Sequence, residues 1–330
     1  MVDCIIILTG AFLLDLMLGD PVYRLHPVRL LGHFIAWLER LLFSGGCFGF
    51  FGGGLLFFGS LLAAAGVFLA AALLWYVLPA AGLLIFTFLV YSTIGFRDMF
   101  NHVLPVYAAL AANDAPNARR LLQRIVGRDV SRLDRDGMSR AAVETVAENF
   151  VDGLLSIIFW FAAGGIGAWV LGLAPAPAAV GMALMVRVVN TLDAMVGYRN
   201  QRYKHFGTVS ARADDFFNFI PARLSMVIIG LAAAICRMDA ARCIKTGFRD
   251  RLKHASPNAG HPESCIAGAL GIRLGGPVAY PGKTVDKPWM GKEINPVVPE
   301  HIRSACVLVF CAGWVGMLPV IFIFARLMMS

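Results

Sequence analysis

Long uninterrupted apolar stretches are the feature that most constrains how this chain folds. They occupy residues 4–19, about 53–77, 79–96, 154–174, 176–196 and 304–326. Each approaches or exceeds the roughly 20 residues that cross the hydrocarbon core of a bilayer. They are too long and too uniformly apolar for barrel strands, and helices satisfy their own backbone hydrogen bonds. The sequence therefore predicts an all-α polytopic membrane helical bundle, with residues 1–330 forming a single integral membrane domain.

A seventh apolar segment, residues 216–236, is less regular than the other six. After Arg223 the apolar run is only Leu224 to Cys236, which is short for a span. A full crossing would also place the basic block that follows it on the outer face, against the positive-inside rule. We therefore expect a re-entrant or tilted segment here, in addition to about six spans.

Polar, basic blocks separate the apolar segments at residues 97–152, 197–215 and 237–303, with a smaller one at 20–44. The chain has 29 Lys and Arg against 21 Asp and Glu, a net charge of +8. The positive-inside rule accounts for this excess without a nucleic-acid partner. We expect a multi-pass protein of the cell (inner) membrane, in contact with lipid, whose cytoplasmic loops form the functional site.

Three acidic residues form a predicted stripe on the helix that leads into the fourth span. Glu144, Glu148 and Asp152 follow one another at intervals of four residues, which places them on one helix face. Like charges at this spacing repel, so something cationic should face them. Carboxylates are typical Mg²⁺ ligands. The alternative is a solvated helix face on which Arg140 pairs with Glu144.

A second polar group interrupts the apolar segment 176–196. Arg187, Asn190 and Asp193 lie three residues apart, and ionisable groups at such depth by default mark a site or a paired partner. We predict that Arg187 binds substrate and that Asp193 is a metal ligand. The alternative is a structural pair between Arg187 and Asp193.

A third group begins the next apolar segment. Asp214, Asp215 and Asn218 fall within one helical turn and offer oxygen ligands to a metal. The neighbouring basic side chains are candidate phosphate ligands, and these are Arg199, Arg202 and Arg212. A basic belt beside the membrane would also explain the arginines, but not two adjacent aspartates.

The stretch from Ser256 to Gly276 predicts a short helix in which Pro262 occupies the first position and which Gly271 ends. Free N–H groups in the turn Asn258–His261 would then face an anion, unless this is an ordinary loop. Five residues separate Gly276 from Gly282, which precedes Lys283. A Walker A loop has four. Lys283 therefore remains a phosphate-binding candidate outside any common nucleotide motif.

Five stretches in one order resemble a known family. They are Asp15-Leu-Met-Leu-Gly-Asp-Pro21, His26-Pro-Val-Arg29, Glu144 through Gly153, Gly197 through Arg223, and Ser256-Pro-Asn-Ala-Gly-His-Pro-Glu263 through Gly276. Together they are similar to the adenosylcobinamide-phosphate synthase family of cobalamin (vitamin B12) biosynthesis. The resemblance covers nearly the whole chain.

The resemblance implies an amide-forming carbon–nitrogen ligase. Its members join adenosylcobyric acid, a corrinoid, to (R)-1-amino-2-propanol phosphate or a related amino-alcohol phosphate, with ATP as co-substrate and Mg²⁺ as cofactor. Other enzymes of the corrinoid pathway are possible partners. Under this hypothesis Glu144 and Glu148 belong to the catalytic group, and His261 or Glu263 takes the proton of the attacking amine.

Two other functional classes remain open from the residues alone. A Mg²⁺-dependent intramembrane prenyltransferase also uses aspartate-rich motifs, and the stretch from Asp214 to Asn218 resembles one, although a second complete motif is missing. A transporter of corrinoid precursors would also explain charges within the membrane, but inverted repeats are not visible.

Overall fold

The computed structural model describes residues 1–21, 23–198, 200–280 and 283–329, and for 278–280 and 283–285 the backbone alone. The all-α prediction is confirmed, because helices account for most of the described chain. The helices are α1 Val2–Leu18, α2 Pro27–Ser44, α3 Gly49–Val77, α4 Pro79–Thr93, α5 Phe96–Ala111, α6 Ala115–Leu122, α7 Arg135–Phe150, α8 Ser156–Val170, α9 Pro175–Val196, α10 Thr208–Ile235, α11 Ala240–Asp250, α12 Gly260–Leu270 and α13 Glu300–Met329.

Within the described residues, six helical segments are long and apolar enough to cross a membrane, which confirms the polytopic bundle. They are Gly49–Val77, Pro79–Ala111, Arg135–Val170, Pro175–Val196, Thr208–Ile235 and Glu300–Met329. Helix α1, with 17 residues, is not among the six. The sequence prediction had counted this segment as a span.

The re-entrant form of the prediction for 216–236 is wrong, and the tilted form stays a prediction. Helix α10 runs through this segment for 28 residues without a reversal. Pro221 lies inside the helix, and the Arg223 guanidinium stacks over the Phe219 ring at 3.3 Å while donating to the Phe219 carbonyl at 2.6 Å. The arginine is thus satisfied within its own helix, so its charge does not interrupt the apolar segment.

Four three-residue strands between α12 and α13 were not predicted. Strand β1 (Arg273–Gly275) pairs antiparallel with β4 (Trp289–Gly291), and β2 (Val278–Tyr280) pairs with β3 (Lys283–Val285). Gly291 has φ +86°, and a Cβ there would lie 2.3 Å from the Ile272 carbonyl oxygen. A glycine is therefore required for β1 and β4 to approach one another.

The chain divides into two compact units, each built from separated segments. Unit 1 contains residues 1–95, 156–217 and 319–330, and unit 2 contains 96–155 and 218–318. The core of unit 1 joins α2, α3 and α9 through Ile35, Leu56 and Leu192, all fully buried. The single-domain organisation stays a prediction.

Unit 2 contains the segments that position most of the candidate site. Helices α11 and α12 pack closely, because a Cβ on Gly268 of α12 would lie 2.6 Å from the Arg242 carbonyl oxygen of α11. Every residue of α12 is buried. Helix α7 continues into a π-helical turn, Val151–Leu155, which contains Asp152. Single π turns within α-helices are frequent at functional sites.

Candidate functional site in unit 2

Three titratable side chains of unit 2 meet in one cluster. Ligand atoms of Glu148 on α7, His254 after α11 and Glu263 on α12 all lie within 4.8 Å of one another. Glu148 is exposed, whereas Glu263 is only 2% exposed. The cluster therefore pairs the carboxyl of an exposed residue with that of a buried one, and the two side chains are close enough to hydrogen-bond.

Glu263 is the residue whose burial most needs an explanation. Its Oε1 atom has no hydrogen-bond partner within the described part of the chain. Burial, and then the nearby charges of Glu148 and Glu144, raise the pKa of Glu263 well above its usual value. Burial and the neighbouring carboxyl groups outweigh the opposing charge of Lys287, so the protonated form of Glu263 is favoured.

His254 lies beside this carboxyl group, beyond hydrogen-bond distance. Its Nδ1 accepts the Ser256 N–H at 3.0 Å, and its Nε2 lies 3.9 Å from Oε1 of Glu263. Burial, and then the charge of Lys287, lower the pKa of His254. The ring is therefore neutral near pH 7 and carries its proton on Nε2, since Nδ1 is an acceptor.

This protonation pattern decides whether Mg²⁺ fits the cluster. Mg²⁺ takes oxygen ligands in a near-octahedral arrangement. Here an imidazole N–H points towards the carboxyl groups, and only Glu148 and Glu263 offer oxygens. The predicted assignment of Mg²⁺ to Glu148 is thus not favoured by this donor set. Asp152, the remaining member of the predicted stripe, is half-buried in the π-helical turn.

Helix α12 supports the cluster much as the sequence predicted. It ends at the predicted Gly271, which has φ +68°, but it begins at Gly260, two residues before the predicted start at Pro262. The expectation of free N–H groups in the preceding turn is wrong for three residues. The N–H groups of Asn258 and Ala259 donate to Ser256 Oγ, and that of His261 donates to the Asn258 carbonyl.

His261 lies apart from the cluster even though it is close to Glu263 in sequence. Its side chain is 1% exposed, and its Nδ1 lies 3.2 Å from the Asn258 carbonyl oxygen. Burial, and then the charge of Arg223, lower the pKa of His261. Arg223 also donates to Asn258 Oδ1 at 3.4 Å. These contacts indicate that His261 and Asn258 shape the turn, which makes His261 a poor candidate for contact with substrate.

Glu144 has partners other than those expected. Arg128 pairs with its Oε2, and the Gly275 N–H donates to its Oε1 at 2.7 Å. Arg140, the alternative partner, instead lies over the Trp289 ring at 5.0 Å. Both oxygens of Glu144 are thus engaged, and the residue joins α7 to strand β1. The predicted catalytic role fits Glu148 better than Glu144.

Asp250 anchors the segment that carries His254. It is fully buried and accepts from Arg249 Nη2 at 2.5 Å, Lys253 Nζ at 2.8 Å and the Gly291 N–H at 2.8 Å. Burial opposes its ionisation, but the hydrogen bonds from Arg249, Lys253 and Gly291 outweigh burial and lower its pKa. An ionised Asp250 therefore holds the end of α11 against strand β4.

Predicted residues in unit 1 and residues that were missed

Unit 1 contains the polar groups predicted on α9 and the two aspartates predicted on α10. Arg187 donates from Nε to the Thr93 carbonyl at 2.6 Å and from Nη1 to Asn190 Oδ1 at 3.3 Å. Asn190 in turn donates to Asp214 Oδ1 at 3.4 Å. Arg187 thus binds the last carbonyl of α4, and its role as a substrate ligand stays a prediction.

Carboxyl groups within unit 1 offer an oxygen-only donor set. Asp193 on α9 lies within electrostatic range of Asp214 and Asp215 on α10. This chemistry suits Mg²⁺ better than a set that contains an imidazole. Asn218, the fourth predicted ligand, is buried and belongs to unit 2. The assignment of these four residues as metal ligands stays a prediction.

The structure describes only some of the side chains predicted to bind phosphate. Arg202 donates from Nε and Nη2 to Glu39 Oε1, at 3.1 and 2.8 Å, and stacks on the Phe43 ring at 4.3 Å. Its charge is already balanced by Glu39, which argues against a free phosphate-binding group. Arg212 is exposed. Arg199 and the side chain of Lys283 lie outside the described residues.

Several functional candidates were missed from the sequence. His254 was not singled out because it stands alone in a polar loop, with no spacing that links it to Glu148. Lys287 lies within electrostatic range of Glu263 and His254. The only available signal was composition, since both residues fall in the basic block 237–303.

The fold and the polar cluster define a polytopic membrane protein. Its clustered carboxyl and imidazole side chains are positioned by helices and by short paired strands. A family model described as CobD/Cbib protein matches residues 8–309. The chain therefore belongs to the CobD/CbiB family, and this membership supports a role in cobalamin biosynthesis.

Individual relatives agree with the family assignment. The chain is 39% identical over 307 residues to the cobalamin biosynthesis protein CobD of Klebsiella pneumoniae, covering 92% of each chain. It is 38% identical over 321 residues to the cobalamin biosynthesis protein CbiB of Salmonella choleraesuis, covering 96% of this chain and 95% of the relative. No solved structure matches the chain significantly.

Proposed function

We propose that this protein is an ATP-dependent ligase that joins adenosylcobyric acid to an amino-alcohol phosphate, such as (R)-1-amino-2-propanol phosphate, through an amide bond. Family membership over nearly the whole chain supports the pathway. The resemblance of the five sequence stretches supports the reaction. The geometry of unit 2 supports an enzyme that transfers a proton.

The observation that carries the proposal is the pairing of exposed Glu148 with buried Glu263. A helix packed only for stability gains nothing from a buried carboxyl whose Oε1 lacks a partner, because such groups cost free energy. Perturbed titratable groups of this kind cluster at catalytic sites. The arrangement therefore favours catalysis over a purely structural role.

The reaction requires two bond-forming steps. The corrinoid carboxylate attacks the γ-phosphoryl group of ATP, which gives an acyl phosphate and ADP. The amine of the second substrate then attacks the acyl carbon, phosphate leaves and one proton is released from nitrogen. The carboxylate of Glu148 is exposed and receives this proton.

Glu263 and His254 support Glu148 in this scheme. Neutral Glu263 places a carboxyl group beside Glu148 without adding a second negative charge. Nε2 of His254 lies 3.9 Å from Oε1 of Glu263, so the ring packs beside the buried carboxyl and limits its orientations. Both are positioning residues, since neither is exposed enough to contact a large corrinoid.

Mg²⁺ and ATP are part of the proposal. Mg²⁺ would lower the negative charge that develops on the transferred phosphoryl group. Of the predicted ligands, Asp193, Asp214 and Asp215 suit it best by donor type. Arg187 and Arg212 remain proposed ligands of substrate phosphates.

The direct test is a reaction with defined substrates. Purified protein in detergent is incubated with adenosylcobyric acid, ATP, Mg²⁺ and aminopropanol phosphate, and the corrinoid product is analysed by mass spectrometry. We expect the mass of adenosylcobinamide phosphate and one ADP per product. The absence of an amide product with each of several amino-alcohol phosphates would reject the ligase proposal.

Matched variants separate catalysis from folding. Glu148→Gln preserves size and removes the proton acceptor, so turnover should fall by about 100-fold or more while the protein level is unchanged. Glu293→Gln is the control, because Glu293 pairs with Arg273 at the surface of the same unit. Equal activity of both variants would assign Glu148 to a structural role.

The two other classes are tested in the same preparation. Uptake of a labelled corrinoid precursor into vesicles, without covalent change, would indicate a transporter. Transfer of a prenyl group from a diphosphate that depends on Asp214 and Asp215 would indicate a prenyltransferase. Neither result is expected.

A further inference from the structure

Helix α2 carries two different exposed stripes along its length. Leu30, Phe34, Trp37 and Leu41 lie within about 60° of arc at 100° per residue. Three of them are about half exposed, Leu30 at 46% and Trp37 and Leu41 at 52% each. This apolar stripe has no covering partner within the described part of unit 1.

The second stripe is basic and runs beside the first. Arg29, His33 and Arg40 fall within about 40° of arc on α2, and all three are exposed. The acidic residue of the helix, Glu39, is buried and pairs with Arg202. The exposed charge of α2 is therefore positive.

The two stripes together restrict where α2 can lie. A basic stripe along a whole helix is costly in hydrocarbon, and an apolar stripe of this length is costly in water. Helix α2 is also absent from the six segments that are long and apolar enough to span. A helix with these properties is stable in the interface between headgroups and acyl chains.

An apolar cavity continues from this helix into unit 1. It has a volume of about 660 Å³, and Leu30, Leu31 and Phe34 line it together with residues of α3, α4 and α9. Three of the four helices, α3, α4 and α9, belong to candidate spans. The apolar stripe of α2 is thus continuous with surfaces that face acyl chains.

We propose that α2 is an interfacial helix that binds the anionic lipid surface of the membrane. Its leucine and aromatic stripe enters the acyl boundary, and Arg29 and Arg40 contact lipid phosphates. Trp37 lies at the depth of the headgroups, where indole rings are favoured. The bound lipid class is therefore an anionic phospholipid, which attracts basic residues at the surface.

The depth of Trp37 provides the first test. Full-length protein and Trp37→Phe are placed in nanodiscs that contain lipids brominated either near the carbonyl group or near the end of the acyl chain. The difference between the two proteins isolates the fluorescence of Trp37 from that of the other five tryptophans. We expect quenching by the shallow bromine to be about twice that by the deep one, as for rings held at the interface.

The charge dependence provides the second test. The melting temperature is compared in nanodiscs of phosphatidylcholine and of phosphatidylcholine with one quarter phosphatidylglycerol. Anionic lipid should raise it for the full-length protein, and the double variant Arg29→Gln, Arg40→Gln should lose at least half of this rise. The control Arg132→Gln removes an exposed arginine of unit 2 and should retain the full rise.

Each result bears on the proposal in a defined way. Unchanged circular dichroism and elution volume show that the variants fold. An unquenched Trp37, or a double variant that responds to anionic lipid as the control does, overturns the interfacial assignment. Amide formation is measured separately in neutral detergent. The outcome for the proposed ligase activity is therefore independent of the outcome for α2.

Discussion

The buried anchor at Asp250 allows a quantitative prediction for Asp250→Asn. The substitution keeps the size of the side chain but removes the charge that Arg249 and Lys253 share. Removing one partner of a buried ion pair costs about 3–5 kcal/mol. Arg249 and Lys253 are 38% and 42% exposed, so they can regain water, and we reduce the expected cost to about 2–3 kcal/mol. For a chain of this length, the melting temperature should fall by about 5 °C.

The assay is thermal unfolding in one detergent, with limited proteolysis of the 286–296 segment as a local probe. Asp239→Asn is the control, because Asp239 is 42% exposed and pairs with Arg242 at the surface, so its effect should be within about 0.5 kcal/mol. The lowered pKa of Asp250 means that its stabilisation is present above the unfolded pKa and is lost as pH falls towards the folded value. The difference in melting temperature between the unsubstituted protein and Asp250→Asn should thus be constant from pH 6 to 8. A melting temperature within 1 °C of the unsubstituted protein would refute the anchor.

Three further predictions follow from other features. Because the pKa of His254 is lowered by folding, stability is lost as pH falls from the unfolded pKa, about 6.5, towards the folded pKa. The variant His254→Gln should therefore lose less of its melting temperature between pH 7 and 5 than the control variant His102→Gln, in which an exposed histidine is replaced. Arg202→Gln should lower the melting temperature slightly through its lost contacts with Glu39 and Phe43; lost activity at an unchanged melting temperature would restore its phosphate-binding role. Cysteines engineered near 120 and 205 should resist labelling from outside, and labelling at either would contradict the cytoplasmic assignment of its block.

The helical fold could be predicted because apolar runs of membrane length leave the backbone few alternatives. Residues 79–96 and 176–196 illustrate this, since their helices match the predicted segments closely. The segment 216–236 was mispredicted because the sequence shows Arg223 as a charge but not its contact with the Phe219 ring. The short strands were not predicted because three-residue pairs depend on tertiary contacts, such as the Gly291 N–H bond to Asp250.

The candidate site could be predicted only in part. Spacing identified Glu148 because helical periodicity is a local property of the sequence. It could not show that Glu144, one turn earlier, is engaged by Arg128 and Gly275, since those residues are distant along the chain. His254 was missed for the same reason, and its role depends on which ring nitrogen accepts the Ser256 N–H.

The alternation of the two units along the chain has a consequence for synthesis. Residues 1–95 begin unit 1, yet the unit still lacks Phe324 until residues 319–330 emerge from the ribosome. The Phe324 side chain is fully buried, against Phe161 and Gly165. Unit 2 is translated in between, so neither unit can be produced as one contiguous fragment. A chain arrested before residue 319 would expose an incomplete apolar core, which makes the early product a target for membrane quality control.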